Sequence, residues 1–454
     1  MTAGKTGIWR RVRIGDTLRL VNGSAFKPTD WAKDGVPIVR IQNLNNPEAA
    51  FNRTTRELPE KFRLRGGELL FAWSGTPGTS FGAHIWRGGE AWLNQHIFNV
   101  LFDENEWDKK FLQFAINQNL AEYIRAAHGG AGLAHITKGR FEESELLQPM
   151  PDEQRRIVAE IEKQFTRLEA GVAALRRVQA NLKRYRDAVL KAACEGRLVP
   201  TETELAKAGN RKAKFETGKD LLTRILTERR QNWQGRGQYK ESAAPDTTKL
   251  PLLPGGWTWA SVEQLGDVQL GRQRSPKNVS KNHPTKYIRA ANITEHGIDV
   301  SDVLEMEFSP AERERFALRD GDIVLSEASG SPSQVGKPAV WRDELPLCCF
   351  QNTVLRLRPA VLGSKYVLVV FQHFYANSVF AKVAGGVGIN HLGAEKFSAI
   401  PFPLPPLAEQ TRIVEEVERR LSVVEELESV VSANLQRATR LRQSILQRAF
   451  SGAL

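Results

Sequence analysis

Two glycine-rich stretches, GGAGLA from Gly129 and GGVGIN from Gly385, are the first places to look for chemistry. A phosphate-cradling loop offers successive backbone N–H groups and ends in Lys-Ser or Lys-Thr. Neither stretch ends that way, and GxxxxGK[ST] occurs nowhere in the chain. Both also lack the third glycine of a dinucleotide loop, so they read as flexible loops. A histidine follows each, His135 and His391. These two read either as loop-shaping residues or as nucleic-acid contacts. The eight histidines form no HExxH or nucleophile constellation. The LPPL at Leu404 is a helix entry and not the Asn/Asp-Pro-Pro-aromatic tetrad of a methyltransferase. Cys194, Cys348 and Cys349 are the three cysteines, without zinc spacing or a disulfide framework. The Cys348-Cys349 pair reads as strand core. No catalytic residue, no metal and no cofactor of its own is therefore expected for this chain.

Charge points elsewhere. The net charge is +12, and residues 151–250 carry 22 basic against 14 acidic residues. Lysine and arginine displace counterions from phosphates, so a cationic middle suits a polyanion partner, although a solvated helical face explains it equally. No apolar run approaches the ~20 residues of a membrane span. The best, YVLVVF from Tyr366, reads as a strand or core segment. Few cysteines and no apolar leader fit a cytoplasmic protein.

The elements that must position any site come from a duplication. Shifted by 256 positions, residues 129–198 lie on 385–454 without a gap, and 20 of 70 columns are identical. Upstream the halves match loosely: WRRVRIGDTL from Trp9 echoes WASVEQLGDV from Trp259, and VRIQNL from Val39 echoes IRAANI from Ile288. The length-locked part is helical. Ile157, Ile161, Phe165, Leu168, Val172, Leu175, Leu182, Tyr185 and Val189 follow spacings of three and four, as do Ile413, Val417, Leu421, Val424, Val431, Leu435, Leu441 and Ile445. A narrow apolar stripe on a charged helix is a coiled-coil seam. One inserted residue turns every later side chain by about 100°, which explains the missing gaps. Pro149, Pro151, Pro405 and Pro406 suit the helix entries, and Gly196 and Gly452 the C-caps.

The fronts carry β-like runs, GVPIVRI, GELLFAW, DIVLSEA and NTVLRLR, between turn residues. The expected class is α+β: mixed α/β domains at 1–150 and 257–405, long helices at 151–199 and 406–454 packed as an antiparallel coiled coil. Segment 200–256 is a linker with one basic amphipathic helix, GKDLLTRILTERRQNW.

Both helices open with a shared signature, PDEQRRIV from Pro151 and PLAEQTRIV from Pro406; the first closes on LKAACEGRLV and the second on LQRAFSGAL. LPGGWTW opens the second front. Over essentially the whole chain this resembles the specificity subunit of type I restriction–modification systems. The resemblance implies a subunit that makes no bond itself. Each front would be a target recognition domain reading one half of an asymmetric bipartite site on double-stranded DNA. The helices would space the readers and dock two copies of a DNA adenine methyltransferase subunit, with restriction/translocase subunits joining them. S-adenosylmethionine, ATP and Mg2+ would belong to those partners. The competing reading is a coiled-coil structural adaptor without sequence-specific DNA binding.

Arginine matches guanine bidentately, and asparagine or glutamine matches adenine. On that chemistry the candidates in the first reader are Arg40, Gln42, Asn43, Asn94, Gln95 and His96, with Ser74, Thr76 and Thr79 in a glycine-rich loop. In the second they are Arg289, Asn292, Ser329, Ser331, Gln334, Gln351 and Asn352. Lys138 and Lys396 are backbone candidates. Asn43 and Asn292 equally suit turn closure. Trp73 and Trp341 read as core. Partner docking is assigned to the exposed sides of the helix openings, Glu153, Gln154, Arg156, Glu409, Gln410 and Arg412; the alternative is that these cap the helices or bind the neighbouring domain.

Overall fold

The computed structural model describes residues 9–46, 49–75, 80–126, 134–209, 215–234, 237–273, 282–385 and 390–451. Thr76, Thr79, the glycines of both glycine-rich loops other than Gly385, and Gly452 lie outside these residues. The chain divides into two units, Met1–Arg176 with Ser432–Leu454, and Arg177–Val431.

In the first unit the strands Leu18–Asn22, Ile97–Phe102, Leu69–Ala72 and Gly82–Ile85 pair in that order in an antiparallel sheet. LLFA is buried at every position, so it reads as a continuous apolar run and not as an alternation. A second sheet runs Asn52–Thr54, Val36–Val39, Ala91–Leu93, Arg63–Leu64, with its central pair parallel. The second unit repeats the design. Gly266–Leu270, Val354–Pro359, Ile323–Ser326 and Pro338–Val340 form the antiparallel sheet. Leu304–Glu307, Pro284–Ile288 and Cys349–Phe350 form the mixed one, again with a parallel pair. Cys348 and Cys349 are buried there, and burial pushes each thiol up to about 12, which keeps them protonated and unreactive.

Each front is followed by a 44-residue helix, Pro151–Cys194 and Leu407–Phe450, about 66 Å long. Their bounds differ by the same 256 positions as the sequence repeat. Within the first unit, the start of one helix meets the end of the other: Ile157, Ile161 and Phe165 share a core cluster with Ile445 and Ala449. Within the second unit, Arg186 near the end of the first helix reaches Glu428 (2.9 Å) and Glu425 (3.8 Å) near the start of the second. The pairing is antiparallel in both. The ion pairs obey the repeat. Arg442–Glu169 (3.2 Å) is the counterpart of Arg186–Glu425, and Lys110–Glu162 that of Lys365–Glu418 (2.7 Å). Exposed pairs contribute little energy, but their repetition fixes one register for both units. Gly196, at φ +64°, ends the first helix with Arg197 N–H donating to Ala192 O (2.9 Å), the 6→1 bond of a left-handed cap.

Three local expectations change. YVLVVF is a core segment but not a strand: it lies in the buried helix Ser364–Ala376, because a short apolar run has no periodicity to separate strand from helix. Segment 200–256 holds two helices among its described residues, Glu202–Ala208 and Gly218–Gln231. The first is only seven residues long and is set by a Thr201/Glu204 capping box. Trp9 corresponds to Trp257 and not to Trp259. Arg10 pairs with Gln148 where Thr258 pairs with Leu404, so the residue before each strand is the equivalent one.

Those two tryptophans join reader to helix. Trp9 Nε1 donates to Glu153 Oε1 (3.1 Å), and Trp257 Nε1 to Glu409 Oε1 (2.8 Å). Glu409 Oε2 also accepts from Glu202 N–H (3.1 Å), while burial pushes its carboxyl above the usual carboxylate range. Gln154, fully buried, accepts from Asp108 N–H (2.8 Å) and donates to Glu106 O (2.8 Å) and Pro149 O (2.9 Å). Gln410 donates to Pro405 O (3.0 Å), and Arg412 to Pro200 O (3.2 Å) and Glu202. Gln154, Glu409 and Gln410 are therefore not exposed docking residues. They bind the neighbouring domain, Gln154 and Gln410 through its backbone and Glu409 through Trp257, although Gln410 Oε1 is buried without a partner among the described residues. Of the six, Arg156 is exposed and Glu153 and Arg412 are half-buried.

Gln154→Ala leaves an amide and two carbonyls without their partner; each such buried group costs ~1–3 kcal/mol, so the expected loss is about 2–4 kcal/mol. Arg156→Ala is expected within about 0.5 kcal/mol of the parent. Thermal unfolding of the two variants checks this, and equal midpoints would contradict the anchor.

Candidate nucleic-acid interface

Each mixed sheet delivers two strand ends to one side, because it contains one parallel pair. In the first unit Val36–Val39 ends at Arg40 and Ala91–Leu93 ends at Asn94, with Asn94 N–H donating to Val39 O (3.1 Å). In the second, Pro284–Ile288 ends at Arg289, and Gln351 N–H donates to Ile288 O (3.0 Å). A third segment closes each edge through a glycine. A Cβ on Gly23 would stand 2.2 Å from Asn94 O, and one on Gly271 2.2 Å from Gln351 O. No side chain fits in either gap, so the two readers share this backbone joint.

The turn after the arginine is also shared. Arg40 N–H donates to Asn43 Oδ1 (3.1 Å), and Asn43 Nδ2 to Ala49 O (3.3 Å). Arg289 N–H donates to Asn292 Oδ1 (3.0 Å), and Asn292 Nδ2 to Asp299 O (2.8 Å) and Asp302 O (3.1 Å). Asn43 and Asn292 are 2% and 3% exposed. Their amides are used up inside the turn, so they close turns and do not face a ligand.

The first edge is concave. Arg40, Gln42, Asn94, Gln95 and His96 line one open cleft of about 180 Å³ together with Trp31 and Phe26. Sequence reasoning chose the five polar residues and missed the two aromatics, which no local motif announces. Arg40 Nη1 donates to Asn52 Oδ1 (2.9 Å), and its guanidinium lies 5.7 Å from the Trp31 ring centre. Asn94 is buried and spends its side-chain oxygen on His96 N–H (3.3 Å), so it shapes the cleft. Gln95 Nε2 meets His96 Nε2 at 3.3 Å. Burial, then the nearby His135 and Arg40, hold the His96 imidazole below its ordinary value, so it is neutral at pH 7.

The second edge differs. Arg289 pairs with the Asp302 carboxylate, and Arg272, opposite Gln351, pairs with Glu312 (2.7 Å). Gln351 and Asn352 are half-buried, and Asn352 N–H donates to Arg272 O (3.0 Å). Ser329, Ser331 and Gln334 belong to another segment. Ser329 faces Asn390 across a two-residue strand pair, and Ser331 Oγ lies 3.0 Å from Ser333 Oγ. Ser331 and Gln334 are exposed.

That strand pair is repeated as well. Ser74 faces His135, and Ala328 faces His391. The residue before each differs: the Trp73 ring packs on His135 (4.6 Å, edge-on), whereas Glu327 meets His391 Nδ1 (3.1 Å). Trp73 is thus half-buried beside the interface, whereas Trp341 is fully buried core. Glu327, missed from sequence, replaces an aromatic support with a charged one. Lys138 and Lys396 are exposed, with Nζ on Leu20 O and Val383 O (3.2 Å each). Among the described residues no cluster of His, Cys, Asp and Glu is placed to hold a metal ion, and no helix is long and apolar enough to cross a membrane.

Known proteins share this arrangement. A family model, the type I restriction modification DNA specificity domain, matches twice, at residues 8–174 and 254–429. The type I restriction enzyme EcoBI specificity subunit of Escherichia coli is 23% identical over 454 residues, 98% of this chain and 86% of its own. The EcoDI specificity subunit of Escherichia coli is 24% identical over 462 residues, 100% of this chain and 90% of its own. A solved structure concerned with complex assembly and conformational transition of the type I R-M system superposes with a TM-score of 0.67 at 18% identity, covering 98% of both chains, which shows the fold. With two matched domains spanning most of its length, each ending in a long helix, the chain belongs to the type I restriction modification DNA specificity family.

Proposed function

We propose that the chain is the DNA sequence-specificity subunit of a type I restriction–modification complex and reads an asymmetric bipartite site. The observation that carries this is the contrast within the duplication. The helices and the joints at the sheet edges repeat, while the side chains presented at those edges differ. Two equivalent supports with two different polar surfaces are what a site of two unlike half-sites requires. The chain itself makes and breaks no bond. S-adenosylmethionine, ATP and Mg2+ act on partner subunits, in the cytoplasm. Exposed Lys138 and Lys396, with Gln42, Ser331 and Gln334, are the positions from which DNA is approached. A structural adaptor would need the helices but not two elaborated, divergent edges.

The repeated helices offer two equivalent surfaces to two copies of one adenine methyltransferase subunit, through which restriction subunits join. In the second unit Val423, Leu427 and Val430 are exposed at spacings of four and three, so they share a face of the second helix. Val178 and Tyr185 are exposed on the first helix. These apolar residues belong to the second unit's docking surface; of them only Tyr185 has an exposed apolar counterpart in the first unit, Leu441, and Arg156 is the remaining candidate at a helix opening.

Exchanging residues 1–145 for those of a relative should change one half of the methylated motif and leave the other intact, as read by N6-methyladenine mapping of the genome. A change in both halves would defeat the modular account. Leu427→Asp should reduce the co-purifying methyltransferase subunit from two copies to one while the isolated chain keeps its unfolding midpoint. Full retention of the partner would remove this face from the docking surface.

A further inference from the structure

The two readers carry an arginine at the same joint but hold it in opposite electrostatic states. Arg40 and Arg289 both follow the central strand of a parallel pair, and both open a turn locked by an asparagine three residues on. Arg289 is neutralised by the Asp302 carboxylate, and its Nε is buried without a partner among the described residues. Arg40 is buttressed by groups without charge, the Asn52 carboxamide on one side and the Trp31 face on the other. None of the described residues lining its cleft is a carboxylate.

Resting on the DNA-specificity reading, we infer that Arg40 is the guanine-reading residue of the first half-site, and that Arg289 at the equivalent position of the second reader is structural. Arginine also grips phosphate bidentately, but reading guanine further requires its donor edge to be held in the plane of the base. Arg40 is half-buried, and its plane is fixed by one hydrogen bond and one ring. Among the described residues only Nη1 is engaged, so the Nε–Nη2 edge keeps the two parallel donors that match O6 and N7 of guanine. Ordering the side chain before binding removes a cost that a free arginine meets on contact. Gln42 and Gln95 beside it supply neutral donors and acceptors for the flanking base.

The test uses the whole complex with wild-type chain, Arg40→Gln, Arg40→Lys and Arg289→Gln, each selecting sites from a randomised DNA pool, with the exchange of residues 1–145 assigning the half-sites. Wild type should select one bipartite motif with guanine in the first half-site. Arg40→Gln should lose preference at one guanine by about 5- to 150-fold and leave the second half-site unchanged. Arg40→Lys keeps the charge without the fork and should relax the same position, which protects the test if the glutamine variant folds poorly. Arg289→Gln should leave the motif as it is. An Arg40→Gln complex that binds every sequence more weakly with its motif intact makes Arg40 a backbone contact and overturns the inference. So does a first half-site without guanine, or an Arg289→Gln motif that loses a base. A wild-type complex that selects no motif refutes the DNA-specificity reading itself, and the inference with it.

Discussion

Gln154 and Gln410 sit in the first turns of the two long helices, where an exposed polar side chain would be ordinary, and both are buried. Gln154 binds the backbone of the segment before its helix and of the loop before residue 109; Gln410 binds the carbonyl of Pro405. Beside them Trp9 and Trp257 donate to Glu153 and Glu409. A buried polar group without a partner costs more than a made bond returns, so these contacts hold only in one geometry. They set the angle at which each reader leaves its helix. Everything a reader presents to DNA inherits its direction from this joint.

The anchors and the interhelix pairs fall at one constant interval. Glu153 and Glu409, Glu162 and Glu418, Glu169 and Glu425, and Arg186 and Arg442 are all 256 residues apart, each in an equivalent contact. An insertion in one helix would rotate its later contacts off the seam, so drift there is resisted by packing. The sheet edges have no such constraint. Their fixed points are few, Gly23 with Asn43 and Gly271 with Asn292, and the exposed side chains between them are not held by packing. The same chain thus combines a rigid register with free variation at the surface that recognises.

Sequence made the helices and most of their seam legible, because a 3.6-residue period over 44 residues is redundant information, but Tyr185 and Leu441, which follow the same spacing, are exposed. The core strands were legible as apolar runs. Sequence left the anchors open between docking and binding the neighbouring domain, because Glu, Gln and Arg are usually exposed, and only the tertiary contacts of Gln154, Glu409 and Gln410 decide for the second. The offset of Trp9 was misplaced by two residues where no periodic element bridges the gaps. The cleft was half visible. Its polar residues stood out by type, but Arg40 and Asn94 meet only through a parallel strand pair, whose contacts span more than fifty residues and leave no local signal. Trp31 and Phe26 belong to it for the same reason.

Divergence between the edges shows how one scaffold acquires two specificities. The arginine and its turn-locking asparagine are retained in both halves, since the turn depends on a backbone N–H and a side-chain amide and not on the guanidinium. What changes is the residue that meets the guanidinium, Asn52 in one half and Asp302 in the other. A neutral partner holds the cation in place while sparing its charge; an anionic partner consumes it. The same exchange recurs at the paired histidines, where Trp73 supports His135 and Glu327 supports His391. In both places the residue at the edge is kept and the charge of the support one layer behind it is altered.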